Sequence, residues 1–433
     1  MTKLSSSATF FASLQWLFFI FANTVVVPIS VGAAFDLPQA EIAAILRSSL
    51  IVTGIACMLQ GSIGHRFPLM EGHSGVMWGL ILNLCVTASS MGMSLTSIGG
   101  GIATGMLLAG AFVILLGSLN LLKYLNKIFT PMVMSVYLFL LTFQLIIIFF
   151  KGMLKFAPDG TLHVQISLFS ICIVILVSLL KIKGSNHISN FSILIGMVVG
   201  WVLYLVLFPA EEVITTNSAA GLSIFPFGKP NLNIGIIAIT FLASMINLSN
   251  TIASVEAASK LMNEQSSQKQ LNRSYFLTGG YSIVAALFGL VSYAPFASSI
   301  GFLESTRIFD RKPFLIGGGL LSLFGVIPMF GGLLATLPIT VGNAVLFVAY
   351  LQLFGTSLRS LNGYVFDSVT IHRLAIPVLL GLCIMVMDSE AFTNLPVFIQ
   401  PLISNGFIMG VLLSILLEKI IKWDANKEAL RAK

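Results

Sequence analysis

Long apolar runs separated by short polar connections dominate this chain, and each run can be weighed as a membrane crossing. They fall near residues 9–33, 40–62, 68–87, 98–120, 129–150, 162–180 and 189–208, and then, after a polar stretch from Glu211 to Lys229, near 233–258, 273–291, 293–306, 313–331, 335–356, 374–388 and 403–421. The pattern predicts an all-α polytopic membrane protein with fourteen transmembrane segments, seven in each half. The first run is too long for a secretory leader and carries Gln15, Asn23 and Pro28, so it is read as a crossing. Two runs break the pattern. Pro68-Leu69-Met70-Glu71-Gly72-His73-Ser74-Gly75 and Tyr293-Ala294-Pro295-Phe296-Ala297-Ser298-Ser299-Ile300-Gly301 are marked by proline and crowded with Gly and Ser, which argues against a continuous helix in either. An odd number of crossings per half makes two similar halves insert upside down relative to each other. A faint similarity at constant spacing fits such a 7+7 inverted repeat: Asn23-Thr24-Val25 meets Asn250-Thr251-Ile252, Pro68 meets Pro295, and Glu71 falls opposite Ser298.

Composition closes off the soluble readings. Of 433 residues, 57% are hydrophobic and 9% charged, against about 25% charged in a soluble protein. The net charge of +7 implies no nucleic acid, because in a membrane protein the placement of Lys and Arg matters more than their sum. With the N-terminus inside, Lys3, Arg66, Lys123, Lys127, Lys181, Lys183, Lys260, Lys269, Arg273, Arg307, Arg311, Lys312, Arg359, Arg373 and the basic tail (Lys419, Lys422, Lys427, Arg431, Lys433) fall on the cytoplasmic side. Asp36, Glu41, Asp159, Glu211, Glu212, Asp388 and Glu390 fall outside. Both termini are therefore predicted to be cytoplasmic, in a multi-pass protein of the cell membrane. Cys57, Cys85, Cys172 and Cys383 sit singly in apolar runs and read as small core residues, with no disulfide or zinc spacing and no cofactor implied.

The candidate chemistry lies in the two interrupted runs. A pair of broken segments at matching places in two halves points to a transporter's binding site, where a half-helix N-terminus offers unpaired N–H groups to a polar ligand. Glu71, with His73 beside it, is the leading ionisable candidate at membrane depth, able to bind and release a proton. Arg47 also lies within a run; Glu256 and Glu304 lie near Lys260 and Arg307 and read as interfacial ion pairs. Asn250, Thr251 and Ser254 share one helical face and either read a ligand or glue helices together. Gly99, Gly100, Gly101, Gly105, Gly196 and Gly200 read as close helix packing. Gly72-His73-Ser74-Gly75 matches the GxSG string of rhomboid-type intramembrane serine proteases, but His65, His163, His187 and His372 all fall near predicted run ends, out of reach of Ser74 as a base.

Leu14-Gln15-Trp16 with Ala22-Asn23-Thr24-Val25-Val26-Val27-Pro28 resembles the first segment of the nucleobase-ascorbate transporters, also called nucleobase:cation symporter family 2. Phe67-Pro68-Leu69-Met70-Glu71-Gly72-His73-Ser74, Phe129-Thr130-Pro131-Met132-Val133, Ser299-Ile300-Gly301 through Thr306-Arg307, and Ala335-Thr336-Leu337-Pro338 are similar to that family's third, fifth, tenth and twelfth segments. The resemblance implies a fourteen-segment inverted repeat, with segments three and ten half strand and half helix. It implies a core domain at 1–128 and 231–332 and a gate domain at 129–230 and 333–433. It implies a permease rather than an enzyme, moving a purine or pyrimidine base with a proton or a sodium ion, and suggests a homodimer. The residues expected to bind substrate are Glu71, Gly72, His73, Asn250, Ser254, Phe296, Ser298 and Ser299, of which Asn250, Ser254, Ser298 and Ser299 stand at the family's positions; Phe296 or Trp78 is expected to stack on the base and Glu71 to be the ion-coupling group. The chain departs from the family where it has Ser298-Ser299 in place of Glu or Gln before Asn, Asn250 in place of Glu, Ser254 at a position usually Asp or His, and Trp16 in place of His. Glu71 is the carboxylate expected to replace the missing ones. The alternatives are a carrier of another small planar or anionic solute, of the sulfate and bicarbonate type, which a carboxylate in the site would disfavour, and an uncoupled channel.

Overall fold

The computed structural model describes residues 5–89, 91–119, 121, 128–157, 159–208, 223–296, 298–361, 363–396, 398–421 and 423. Lys3, Lys123, Lys127, Glu211, Glu212, Ala297, Lys422, Lys427, Arg431 and Lys433, which entered the reading above, lie outside these residues. The first half runs α1 (Ser6–Thr24), α2 (Val26–Ala34), α3 (Gln39–Ser62), strand β1 (Glu71–His73), α4 (Gly75–Thr87), α5 (Leu95–Ser118), α6 (Pro131–Met153), α7 (Val164–Lys183) and α8 (Asn186–Leu207). The second runs α9 (Ile234–Met262), α10 (Gln268–Phe288), strand β2 (Tyr293–Pro295), α11 (Ser298–Thr306), α12 (Arg311–Val326), α13 (Pro328–Ala335), α14 (Ile339–Arg359), α15 (Ser368–Val386), a 3-10 turn at Ser389–Phe392, α16 (Gln400–Ile403) and α17 (Gly406–Ile420).

Polar side chains fix where the helices begin. Ser74, Thr130, Asn233 and Asp310 accept backbone N–H bonds at the starts of α4, α6, α9 and α12, and Ser267 with Gln270 closes a capping box on α10. Eight helical stretches among the described residues are long and apolar enough to cross a membrane, or nine if the pair Arg311–Val326 and Pro328–Leu334, bent by 86°, counts as one. The sequence pattern counts more because apolar composition cannot show how much of a run is helix. The runs holding β1 and β2 contain helices of only 13 and 9 residues, and α17 has 15.

One set of helices packs as α3 on α12, α1 on α12, and α5 on both α10 and α9; a second set packs α6 on α14 and α17, α15 on α17, and α7 on α8 and α14. Glycine permits the closest of these approaches. A Cβ on Gly54 of α3 would lie 2.3 Å from the Gly318 carbonyl and 2.2 Å from Ser322 Oγ on α12. Arg47, also on α3, donates to the carbonyls of Gly325 (3.3 Å) and Val326 (3.4 Å), so its charge meets the negative end of α12. Glu256 pairs with Lys260 at 2.7 Å on an exposed helical turn. The outward surface is itself apolar, with residues such as Ile182, Val206 and Leu379 more than half exposed. Cys172 and Cys383 belong to that surface and Cys85 is half-buried, which corrects the reading of all four cysteines as core; only Cys57 is.

Replacing Gly54 with leucine drives a side chain into the α12 backbone. Gly54→Leu is expected to lose most folded, monodisperse protein in size-exclusion chromatography, whereas Gly280→Ala, whose added Cβ meets nothing within 4 Å, keeps the wild-type yield.

Candidate functional site

β1 and β2 pair antiparallel, with Glu71 opposite Pro295, Gly72 opposite Ala294 and His73 opposite Tyr293. Both strands are buried along their whole length. Buried backbone must find partners, and here the bonding runs on beyond the ladder: Ser74 N–H donates to the Ser292 carbonyl at 2.7 Å, and Phe296 N–H to the Met70 carbonyl at 2.8 Å. Side chains complete it. Ser299 Oγ accepts the Met70 N–H at 3.0 Å, and Ser254 Oγ on α9 donates to the Pro295 carbonyl at 3.3 Å. Asn247, two turns earlier on α9, holds both segments at once: its Nδ2 donates to the Tyr293 carbonyl at 3.0 Å, while its Oδ1 accepts from Ser74 Oγ at 2.6 Å. Asn250 Nδ2 reaches the same Oδ1 at 3.1 Å.

A strand sends alternate residues to opposite sides, and that decides what Glu71, Gly72 and His73 can do. Gly72 faces Phe296, for a Cβ there would lie 2.7 Å from the Phe296 ring. Glu71 and His73 face the other way, towards α3. His73 Nε2 meets Ser49 Oγ at 2.7 Å and its Nδ1 meets the Val291 carbonyl at 3.2 Å. The Glu71 backbone contacts Cys57 Sγ through both its N–H (3.3 Å) and its carbonyl (3.4 Å), and its carboxylate lies 3.5 Å from His65 Nε2. One expectation is thereby corrected: the imidazole that meets Glu71 is that of His65, fully buried just beyond α3, not that of His73, and strand geometry turns the Glu71 side chain to the side opposite Gly72.

Phe296, against Gly72, is partly exposed, as are Asn250 on α9 and Ser298 at the start of α11. The Ser298 hydroxyl has no hydrogen-bond partner. Trp78 is enclosed instead: its indole N–H donates to Ser30 Oγ at 2.9 Å and its ring packs 5.0 Å from Phe149, leaving Phe296 as the aromatic face beside Gly72. Ser74, the residue that suggested a protease, spends its hydroxyl on Asn247. Among the described residues, no group of three or more His, Cys, Asp or Glu could hold a metal ion.

A family profile, Xan_ur_permease, described as "Permease family", matches residues 7–390. The chain belongs to this permease family. The permease is 31% identical over 430 residues to "Putative purine permease YwdJ" of Bacillus subtilis (strain 168), covering 96% of each chain. It is 24% identical over 440 residues to "Uric acid permease PucJ" of the same organism, covering 98% of this chain and 95% of the relative. Among solved structures it is similar to the transmembrane domain of a cyanobacterium bicarbonate transporter, BicA, with a TM-score of 0.63 at 14% identity over 94% of this chain and 96% of that one. The murine Slc26a9 anion transporter in the inward-facing state matches with a TM-score of 0.64 at 12% identity, over 97% and 69% of the two chains. These two share the fold. The permease is a multi-pass membrane transporter, not an enzyme.

Asn247 and His65 were not singled out as site residues by sequence. Asn247 stands at helical spacing from Asn250, Thr251 and Ser254 on the same α9 face, which is the signal that could have found it. Asn247→Ala strands buried polar groups on both broken segments and is expected to destabilise the detergent-solubilised protein by about 2 kcal/mol in denaturation. Ser298→Ala, removing a hydroxyl without a partner, leaves the midpoint unchanged.

Proposed function

We propose that this permease is a secondary active transporter of a purine base, working by alternating access across fourteen crossings arranged as a 7+7 inverted repeat. In this reading, residues 1–128 and 231–332 form a core and residues 129–230 and 333–433 a gate, with segments three and ten built as half strand and half helix. The helix packing supports that division, because α1, α3, α5, α9, α10 and α12 pack on one another and α6, α7, α8, α14, α15 and α17 do the same. Both termini are assigned to the cytoplasm from the placement of basic residues.

The observation that carries the site is exposure. Around the paired strands, Asn250 and Phe296 are partly exposed and the Ser298 hydroxyl is buried but unpartnered, while Glu71 and His73 are closed off. The base is assigned to the open side, stacked on Phe296, with the Asn250 amide offering a donor and an acceptor to its edge and the Ser298 hydroxyl a further contact. Ser254 and Ser299 hold backbone in place, Gly72 leaves room beside the ring, and the side chains of Glu71 and His73 are given no contact with the base. The family relationship to a purine permease and a uric acid permease supports the substrate class. A small anion is the second reading. The turn of Glu71 away from the open side removes the carboxylate that would have repelled it.

Cells lacking their own purine uptake and expressing this chain are expected to accumulate one or more of labelled xanthine, uric acid, hypoxanthine, guanine and adenine, and to lose the accumulation when a protonophore is added. Asn250→Ala should raise the half-saturating concentration about fivefold, the loss of roughly one hydrogen bond. Bicarbonate or sulfate uptake with no base uptake would favour the anion reading.

A further inference from the structure

The strongest unexplained feature lies behind the strand. Both carboxylate oxygens of Glu71 and the Nε2 of His65 are buried with no hydrogen-bond partner, and Glu71 Oε1 lies 3.5 Å from that Nε2. No Lys or Arg among the described residues forms an ion pair with Glu71. An unpaired buried carboxylate is too costly to serve packing alone.

The imidazole has one fixed role. The Phe67 backbone N–H, which can only donate, points at His65 Nδ1 at 3.0 Å, so Nδ1 accepts and the ring hydrogen of the neutral imidazole sits on Nε2, facing Glu71. His65 cannot take up a second proton without giving up that backbone bond. The other titratable groups facing Glu71 are Cys57 on α3, Tyr281 on α10 and Tyr293 on β2, whose thiol and phenols are uncharged near neutrality. His73 shares the face but is engaged by Ser49 and Val291, and α1, which also packs on β1, carries no ionisable residue. Only the Glu71 carboxyl is left to change charge. Its surroundings suit both states: burial among uncharged groups accepts the acid, and one N–H donor awaits the carboxylate.

We propose that Glu71, with His65 as its hydrogen-bond donor, is the site at which this permease binds the single proton it carries, on the side of β1 opposite the substrate. The inference rests on the permease reading but places coupling apart from the base. Met70, the residue before Glu71, is bonded to the Phe296 N–H through its carbonyl and to Ser299 through its N–H. A change of charge at Glu71 therefore acts on the floor of the open side through one residue of backbone. Arg66, the neighbour of His65, is exposed, so the pair lies close to a surface from which a proton can enter.

The test uses the purified full chain in proteoliposomes, with two transport readouts and one spectroscopic readout. Exchange of labelled for unlabelled purine without a gradient reports binding and alternation, and accumulation driven by an imposed proton gradient reports coupling. Glu71→Gln is expected to reduce accumulation at least tenfold more than it reduces exchange. His65→Leu, lacking the donor, should shift the alkaline limb of the accumulation profile upward by about one pH unit, and His65→Gln, which keeps an N–H donor, should restore most of it. Accumulation by Glu71→Gln equal to wild type overturns the proposal, as does a requirement for a sodium gradient in place of a proton gradient. If wild type exchanges no purine, the substrate reading fails by itself. The infrared carboxyl band then decides, in wild type and without any substrate. A protonated-carboxyl stretch that titrates with pH and is missing in Glu71→Gln upholds the site, and one that does not titrate refutes it. If Glu71→Gln does not fold, the wild-type titration and the His65 pair decide alone.

Discussion

Everything in this molecule turns on one constraint: extended backbone lies where no water is available to bond it. Residues 71–73 and 293–295 have left the helical pattern inside a buried environment, and each N–H and C=O they expose must be met by protein. They meet one another first, as a two-stranded ladder; Cys57, Ser254 and Asn247 supply further partners, and Ser299 bonds Met70 just before the first strand. Asn247 is the most economical of these, because one amide engages both halves of the crossing. The helices that pack around the ladder hold two short segments that could not persist alone.

A three-residue strand has only two sides, and this one keeps different chemistry on each. Gly72 opens one side towards Phe296, where the exposed polar groups are uncharged. Glu71 and His73 close the other side against α3, where the polar groups are buried. Moving the register by one residue would exchange the two sides; the observed register pairs Gly72 with Ala294.

The sequence makes some of this legible and hides the rest for physical reasons. Apolar runs reveal a membrane protein because length and hydrophobicity need no knowledge of partners, and the glycines at 105, 196 and 200 read correctly as close helix packing: a Cβ at each would lie under 3 Å from a neighbouring helix, whereas Gly99 meets the connection at Phe227. The inward or outward face of a helix is harder to read when both faces are apolar, so Cys172 and Cys383 look like core and lie on the surface. His65 looks like a run end because the chain turns there, yet that turn folds it under the strand against Glu71. Asn247 looks like any polar residue in a membrane helix. Spacing places it on a face but does not say that the face abuts the two interrupted segments.

The pairing of α10 with α5 bears on how the chain enters the bilayer. α10 begins Gln268-Lys269-Gln270-Leu271-Asn272-Arg273 and is absent from the helices apolar enough to cross by themselves. It is accommodated by α5, where Gly110 and Gly279 let the two backbones touch: a Cβ on either would lie within 2.8 Å of the other's carbonyl. During synthesis, α5 leaves the ribosome long before α10 exists. The contact surface on α5 is therefore filled only once α10 has been made, and packing against α5 supplies what the composition of α10 does not supply by partitioning into lipid.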